Sequence, residues 1–177
     1  MKIAIDLQGC QKLSNRNRGI GRYSLSLIKS LIKEYKNDQF VLVANSNLLD
    51  VYSDFEYEIN DFNSRVEYIN WHYPLQSQND FNDKESVREV ARSLYTYTFS
   101  SIFADIILVT SFFEGFEDNS MIEFDQTFDL PIIASIFYDL IPLLHPDLYL
   151  ETNQMYKEFY SKKITDFKKL DLFLAIS

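Results

Sequence analysis

Short apolar runs alternate along the chain with longer segments in which apolar residues recur at helical spacing. Six runs predict strands, at residues 3–7, 39–45, 65–70, 105–111, 131–139 and 172–177. Helical spacing begins at Ile20 and recurs at residues 83–103 and 146–169. Several strands are nearly continuous in apolar residues, which is typical of strands that helices cover on both faces. The pattern therefore predicts an α/β fold of the Rossmann-like, doubly wound class with a mainly parallel sheet.

Each helical segment has an apolar face that is expected to pack on the sheet. The predicted faces are Ile20, Tyr23, Ser24, Leu27, Ile28, Leu31 and Ile32 in the first segment, Val87, Val90, Ala91 and Leu94 in the second, and Leu148, Thr152, Met155, Phe159 and Phe167 in the third. Residues 45–63 are acidic and aromatic, and their pattern does not distinguish a helix from a strand.

The composition is that of one globular domain. The chain has 177 residues, of which 46% are hydrophobic, and we expect residues 1–177 to form a single domain. The formal net charge of −9 argues against general nucleic-acid binding and against attachment to anionic lipid. Cys10, the single cysteine, excludes a disulfide framework and is expected to be a small buried residue. Neither a signal segment nor a membrane-spanning run is present, so we expect a cytoplasmic location.

A basic loop that contains glycine joins the first predicted strand to the first predicted helix. In the stretch NRNRGIGRYSLSLIKSL, Gly19 and Gly21 allow the backbone to approach a ligand closely. The helix that follows presents unpaired N–H groups to an anion, and Arg16, Arg18 and Arg22 are able to add charge-assisted hydrogen bonds. The alternative is that the glycines only shape a turn and that the arginines are solvated. Spacing alone leaves both interpretations open.

Two common nucleotide-binding motifs do not fit this loop. The dinucleotide fingerprint needs three glycines in a tight turn and an acid after the second strand. Here Gly19 and Gly21 follow a long loop, no third glycine stands at the required spacing, and the second strand ends in Asn45. A P-loop is excluded because no Gly-Lys-Ser/Thr follows. A nicotinamide-binding domain is therefore kept only as a third hypothesis.

Four stretches of sequence, taken together, carry a resemblance to a known family. They are RGIGRYSLSLIKSL after MKIAIDLQG, then ILVTSFFEGF, SIFYDLIPLLHPDLYL and DLFLAIS, in this order over almost the whole chain. The chain resembles the N-terminal domain of the family 4 (group 1) retaining glycosyltransferases of the GT-B fold. The resemblance is closest to the bacterial mannosyltransferases and rhamnosyltransferases that build polysaccharide and O-antigen chains.

The resemblance implies a division of labour between two domains. In GT-B enzymes two Rossmann-like domains face each other across a cleft, the N-terminal one mainly binding the acceptor and the C-terminal one the nucleotide-sugar donor. This chain would be the acceptor-side half, and a donor-binding domain is expected to follow Ser177, where the last predicted strand ends. The expected partners are a nucleotide sugar and a glycan or lipid-linked acceptor. No cofactor or metal is expected, and any membrane contact would be peripheral, at the inner membrane.

The resemblance also implies where the site residues lie. Gly19, Gly21, Arg18, Arg22, Glu114 and Gly115 would bind substrate in the cleft, and Tyr138 and Asp139 would lie close to the reacting sugar as candidate catalytic residues.

Some of these residues have alternative interpretations. Tyr138 departs from the family pattern, because many relatives have His-Asp-Leu-Ile-Pro there, and a tyrosine does not titrate near neutral pH as a histidine does. Asp139 could instead form a turn, and Glu114 could be a surface carboxylate. His145 is expected at a helix start. His72 could bind a sugar or belong to a packed aromatic corner.

No spacing of His, Cys, Asp or Glu residues in the sequence predicts a metal site. Two histidines lie far apart, and the acidic stretch DFEYE at residues 54–58 is better explained as a solvated face of a strand or loop. A second functional hypothesis is a non-catalytic interaction module of the same fold within a polysaccharide-assembly protein.

Overall fold

The computed structural model describes residues 1–12, 16, 19–56, 65–74, 84–116 and 118–176. Its elements in chain order are β1 (Lys2–Asp6), α1 (Gln8–Gln11), α2 (Gly19–Glu34), β2 (Gln39–Asn45), α3 (Tyr52–Glu56), β3 (Val66–Trp71), α4 (Lys84–Ser101), β4 (Ile106–Val109), β5 (Ile132–Phe137), α5 (Ile141–Leu144), α6 (Pro146–Tyr149), α7 (Gln154–Phe167) and β6 (Leu172–Ala175). All six predicted strands are present, and β2 has the predicted bounds.

The six strands form one parallel sheet in the order β3-β2-β1-β4-β5-β6. β1 is central: its Ile5 is in register with Leu42 of β2 on one side and with Leu108 of β4 on the other. Helices cover both faces of the sheet, which confirms the predicted Rossmann-like α/β fold. Because the strand order reverses at β1, the loops after β1 and β4 diverge and leave a crevice at the carboxyl ends of the strands.

Two hydrophobic cores lie on the two faces of the sheet, because successive residues of a strand point to opposite sides. Ile3 and Ile5 of β1 belong to one core, and Ala4 belongs to the other. The helical residues of the first core include Ile28, Ile32 and Phe55, and those of the second include Tyr95, Phe99 and Phe167. Burial of a side chain of this size contributes about 1.5–3 kcal/mol, so the two cores hold the helices on the sheet.

The predicted inner face of α2 agrees with the structure except at its edge. Ser24, Ile28 and Ile32 are buried, whereas Tyr23, at the edge of that face, is 40% exposed. Gly21 is buried as well, which places the first turn of α2 close to the rest of the protein.

The predicted inner face of α4 is wrong at two of its four positions. Val90 and Leu94 are 49% and 38% exposed. The sheet instead receives Tyr95 and Phe99, whose ring centroids lie 4.9 Å apart, and Tyr95 also packs 5.3 Å from the Trp71 ring. The larger aromatic side chains bury more apolar area than the aliphatic stripe would, and they determine the rotation of the helix.

The single helix predicted at residues 146–169 is wrong, because the structure divides it into α6 and α7. The side chain of Asn153 accepts a hydrogen bond from the backbone N–H of Tyr156 at 3.1 Å and so caps a new helix start. Leu148 and Met155, predicted to face the sheet, are 65% and 75% exposed. The buried positions of α7 are Tyr160, Lys163 and Phe167.

Three further features complete the fold. The loop after β1 contains the short helix α1, in which Cys10 is buried as predicted. β6 pairs with β5 at an edge of the sheet, and its four residues are exposed. Across the described ranges, no helix is both long enough and apolar enough to cross a membrane.

Candidate functional site

A cleft of about 550 Å³ opens at the carboxyl ends of the strands. We call it the first cleft. Its lining comes from the segments after β1, β4 and β5 and from α2, α6 and α7, and it includes Lys12, Ile20, Ser111, Glu114, Phe116, Tyr138, Asp139, Tyr149 and Tyr156. This is the end of a parallel sheet at which α/β proteins bind their ligands.

Glu114 is held inside the first cleft by a hydroxyl group and a cation. Its carboxylate accepts a hydrogen bond from Ser111 Oγ at 2.9 Å, and Lys12 Nζ lies 3.7 Å from the other carboxylate oxygen. Lys12 also pairs with Asp118 at 3.2 Å. Burial raises the pKa of Glu114 above its ordinary value, while Ser111 and Lys12 oppose the rise. The surface-carboxylate interpretation is therefore wrong, since Glu114 is only 5% exposed.

Tyr138 joins three elements through its hydroxyl group. The hydroxyl donates to the backbone carbonyl of Thr110 at 3.0 Å and lies 3.0 Å from Ser24 Oγ of α2. The Tyr23 ring packs edge-on against the Tyr138 ring at 5.8 Å. Burial raises the pKa of Tyr138 to about 12, so this side chain keeps its proton at neutral pH.

Asp139 combines a turn with a position in the first cleft. Its Oδ1 accepts a hydrogen bond from the backbone N–H of Ile141 at 3.0 Å, which shapes the start of α5. The residue is exposed and lines the cleft. The turn interpretation is therefore confirmed, whereas a role near the reacting sugar stays a prediction for this cleft-lining residue.

The basic loop is only partly described. Gly19, Gly21 and the exposed Arg22 lie in the first turn of α2, where Ile20 reaches the lining of the first cleft. Gly19 has a φ of +38°, a value that favours glycine. Arg18 lies outside the described residues.

Arg16, the first of the three arginines, has a protein partner. Its guanidinium forms an ion pair with the carboxylate of Asp54 and contacts the carbonyl of Asp50 at 3.3 Å. This arginine ties the loop to α3, and its charge is already matched by a carboxylate.

Gly115 adopts a conformation that other residues rarely accept. Its φ is +101°, and an added Cβ would lie 2.5 Å from the carbonyl oxygen of Ser120. The sharp bend places Gly115 directly against the backbone of Ser120. Gly115 does not line the first cleft, but it lines a second cleft on the other side of the loop after β4.

A buried network of polar side chains holds the loop after β4 in place. Gln8 donates through Nε2 to Asp6 at 2.9 Å and to the carbonyl of Met121 at 2.8 Å. Its Oε1 accepts from the backbone N–H of Met121 and from Asn45 Nδ2, and Asn45 donates in turn to the carbonyl of Asn119. All the hydrogen-bonding capacity of the Gln8 amide is used, so the network fixes the loop after β4 to the ends of β1 and β2.

An aromatic cluster lines the side of the first cleft that α7 contributes. The ring of Phe116 lies 5.0 Å from that of Tyr156 and 5.4 Å from that of Phe159. The Tyr156 ring lies 5.9 Å from the Tyr160 ring. Tyr156 is half-buried, so its hydroxyl-bearing ring is able to contact both a ligand and the protein.

The remaining predicted candidates lie away from the first cleft. His145 occupies the N-cap position of α6, at a helix start as expected from the sequence, and its side chain forms no capping hydrogen bond. His72 follows Trp71, whose ring is buried in the second core and stacks on Tyr73 at 5.9 Å. Within the described ranges, no group of three or more His, Cys, Asp or Glu side chains is placed to hold a metal ion. Metal-independent chemistry stays a prediction.

Sequence reasoning missed three groups of residues that shape the site. Lys12 and Ser111 order Glu114, Gln8 and Asn45 support the loop after β4, and Tyr156 contributes an aromatic face. Ser111 could have been predicted from the sequence, because it follows a strand and the carboxyl ends of parallel strands border the ligand-binding edge. The other four depend on contacts between segments far apart in the chain.

The chain is similar to a bacterial mannosyltransferase. It is 26% identical over 178 residues to the serotype-specific mannosyltransferase WbdA of Escherichia coli, across 100% of this chain and 21% of the relative. Two further relatives with that name and organism are 32% identical over 96 and 89 residues, or 54% and 50% of this chain.

The similarity covers only a small part of these relatives. The chain spans 21%, 12% and 11% of their lengths in the three alignments. No family model and no solved structure matches the chain.

Proposed function

We propose that this chain is the acceptor-side domain of a family 4 glycosyltransferase of the GT-B fold, which moves a mannosyl residue from a nucleotide sugar to a polysaccharide or lipid-linked acceptor such as an O-antigen chain. One observation carries the proposal. A cleft with two carboxylates and an aromatic face stands at the ligand-binding end of the sheet, in a chain that aligns over its whole length with a mannosyltransferase.

The side chains of the first cleft suit a sugar. Sugar hydroxyl groups both donate and accept hydrogen bonds, and the cleft offers carboxylate acceptors in Glu114 and Asp139 beside the ammonium donor of Lys12. The C–H face of a pyranose ring packs on aromatic rings, which Phe116 and Tyr156 provide. An acceptor sugar would therefore find both orientation and apolar contact here.

The roles of the two candidate catalytic residues differ. Asp139 is exposed to the cleft and is suited to bind a hydroxyl group of the reacting sugar. The hydroxyl of Tyr138 is engaged by Ser24 and Thr110. We therefore assign Tyr138 a positioning role, in which it holds α2 against the ends of β4 and β5.

The rest of the reaction belongs to a second domain in this proposal. Residues 1–177 bind the acceptor, and a donor-binding domain supplies the nucleotide sugar and most of the transition-state contacts. Neither a metal nor another cofactor takes part. The enzyme works in the cytoplasm, peripherally at the inner membrane where a lipid-linked acceptor is presented.

A sugar titration tests the proposal. We expect methyl α-mannoside, added to the full chain, to shift the NMR amide signals of Glu114, Phe116 and Asp139. Asp139→Asn keeps the oxygen that orders the turn but removes the charge, so it should weaken binding about tenfold. Asp129→Asn, which changes an exposed carboxylate outside the cleft lining, is the matched control. Shifts confined to other surfaces would contradict the proposal, and sugar transfer by residues 1–177 alone would contradict the division between domains.

A second candidate function is a non-catalytic interaction module of the same fold. It is favoured by Tyr138, whose hydroxyl group is engaged within the protein at a position where many relatives have histidine. A substitution of the exposed Arg22 distinguishes the two functions. If Arg22→Ala leaves sugar transfer by the enzyme that contains this chain unchanged but abolishes complex formation, the interaction module is correct.

A further inference from the structure

The loop after β4 separates two clefts rather than bordering one. The second cleft has a volume of about 480 Å³ and shares Glu114 and Phe116 with the first. Its far side is formed by residues of α4, α7 and the segment 118–123. Glu114 and Phe116 therefore border both clefts, and the two clefts lie next to each other.

The second cleft contains a hydroxyl group that the protein itself does not use. Ser120 is 7% exposed, and its Oγ has no hydrogen-bond partner among the described residues. The bend at Gly115 holds it there, since an added Cβ at Gly115 would lie 3.8 Å from Ser120 Cβ. A buried polar atom without a partner costs free energy unless a ligand or water completes its bonding, so this hydroxyl marks a binding position.

The charged groups of the second cleft are mixed in sign. Lys163 Nζ donates to the carbonyl of Ile122 at 2.7 Å and lies over the Phe112 and Phe159 rings at 5.0 and 5.6 Å. Arg88 pairs with Glu123 at 3.0 Å.

This balance favours a neutral, polyhydroxylated ligand. Glu114, Asp118 and Glu123 also line the cleft, and each is paired with a cation, so the cleft has no excess positive charge that would attract a phosphate or another anion. Donors, acceptors and aromatic faces in one cavity are the groups that bind a sugar ring.

We propose that the second cleft binds the sugar that precedes the terminal sugar of the acceptor, so that the acceptor is an oligosaccharide lying across Phe116. The inference rests on the proposed function, because the first cleft must hold the terminal sugar. The inference extends the proposed function by specifying how much of the acceptor is recognised. At least two sugar rings are bound, one on each side of the loop after β4.

The test compares a monosaccharide with disaccharides on the full chain. We expect the best of the α-linked mannobiose isomers to bind about tenfold tighter than methyl α-mannoside in NMR titrations. Ser120→Ala removes a hydroxyl group that has no partner in the described structure, so folding should be unaffected. This variant should weaken binding of that disaccharide roughly three- to tenfold and leave the monosaccharide unchanged. Ser101→Ala, on the exposed side of α4, is the matched control.

The outcomes separate this inference from the proposed function. If the disaccharides and the monosaccharide bind equally, and Ser120→Ala changes neither affinity, the second cleft is not an acceptor subsite while the first cleft remains one. If neither ligand binds, the proposed function itself fails. A loss of affinity for both ligands in Ser120→Ala would also overturn the inference, because the hydroxyl would then act on the first cleft.

Discussion

Ser24 and Tyr138 are 114 residues apart in the sequence, and their hydroxyl oxygens lie 3.0 Å apart. The Tyr138 hydroxyl donates its hydrogen bond to the carbonyl of Thr110, so the Ser24 hydroxyl is the donor in the bond between Ser24 and Tyr138. This chain of hydrogen bonds connects α2 with the ends of β4 and β5. In the proposed function, Tyr138 therefore acts by holding these elements together.

Tyr138→Phe should lower stability without a large effect on ligand affinity. The change removes the hydrogen bonds to Ser24 and Thr110, and we expect a loss of about 1–2 kcal/mol in the free energy of unfolding. Urea denaturation of the variant measures the loss. Tyr97→Phe, at an exposed position of α4, is the control and should be neutral. A large loss of sugar binding in Tyr138→Phe with unchanged stability would indicate direct substrate contact instead.

Gly115→Ala should destabilise the protein more than Gly19→Ala, although both glycines have positive φ angles. At Gly115 the new Cβ would lie 2.5 Å from the Ser120 carbonyl oxygen, whereas at Gly19 no heavy atom lies within 4 Å. We expect about 2–3 kcal/mol for Gly115→Ala and about 1 kcal/mol for Gly19→Ala, measured by thermal and urea unfolding. Equal losses would show that the loop after β4 adjusts freely to the added methyl group.

Asp6 should make stability fall as pH rises through the weakly acidic range. Burial raises its pKa from 3.8 to about 6, so the folded state binds more protons than the unfolded state between these values. From about pH 4 to pH 7, the wild type should therefore lose up to about 3 kcal/mol relative to Asp6→Asn.

The measurement is urea unfolding of both proteins at the two pH values. Asp129→Asn, an exposed control, should follow the wild type. A constant difference between wild type and Asp6→Asn would show that the Asp6 carboxyl has the same proton affinity in both states.

Lys163 should have the opposite effect at alkaline pH. Burial lowers its pKa from 10.5 to about 8, so the unfolded state binds more protons and stability rises with pH between these values. Relative to Lys163→Met, the wild type should gain up to about 3 kcal/mol between about pH 7 and pH 10. Chemical denaturation at both pH values measures this gain. The exposed Lys168→Met is the control, and a wild-type curve parallel to that of Lys163→Met would contradict the prediction.

The apolar pattern was sufficient for the sheet and insufficient for the rotation of two helices. Strands such as β2 are apolar at nearly every position, so their burial on both faces is visible in the sequence itself. In α4 the aliphatic Val90 and Leu94 are exposed, whereas Tyr95 and Phe99 are buried. The Tyr95 ring packs on Trp71, and the Phe99 ring packs on Phe124. The helix is interrupted before α7 because the side chain of Asn153 caps a new helix start. The helical spacing of the apolar residues around Asn153 predicted one continuous helix instead.

The candidate site was predictable in its position and not in its contacts. Asp139 and Glu114 follow strands, and the carboxyl ends of parallel strands meet at one edge, so their presence in one cleft follows from the order of elements. The partners of Glu114 could not be inferred in the same way, because Lys12 comes from the loop after β1 and only the folded chain brings the two together.

By itself the sequence determined which segments are strands, that the sheet is parallel, and at which edge the first cleft lies, because periodicity and the order of elements are local properties of the chain. Only the tertiary structure decided which polar groups are buried. These are Glu114, which is paired with Lys12; Lys163, whose ammonium group lies over two aromatic rings; and the Ser120 hydroxyl, which has no partner in the described structure. The physical reason is that the energy of a polar group depends on what surrounds it in space. Those neighbours come from segments dozens of residues away.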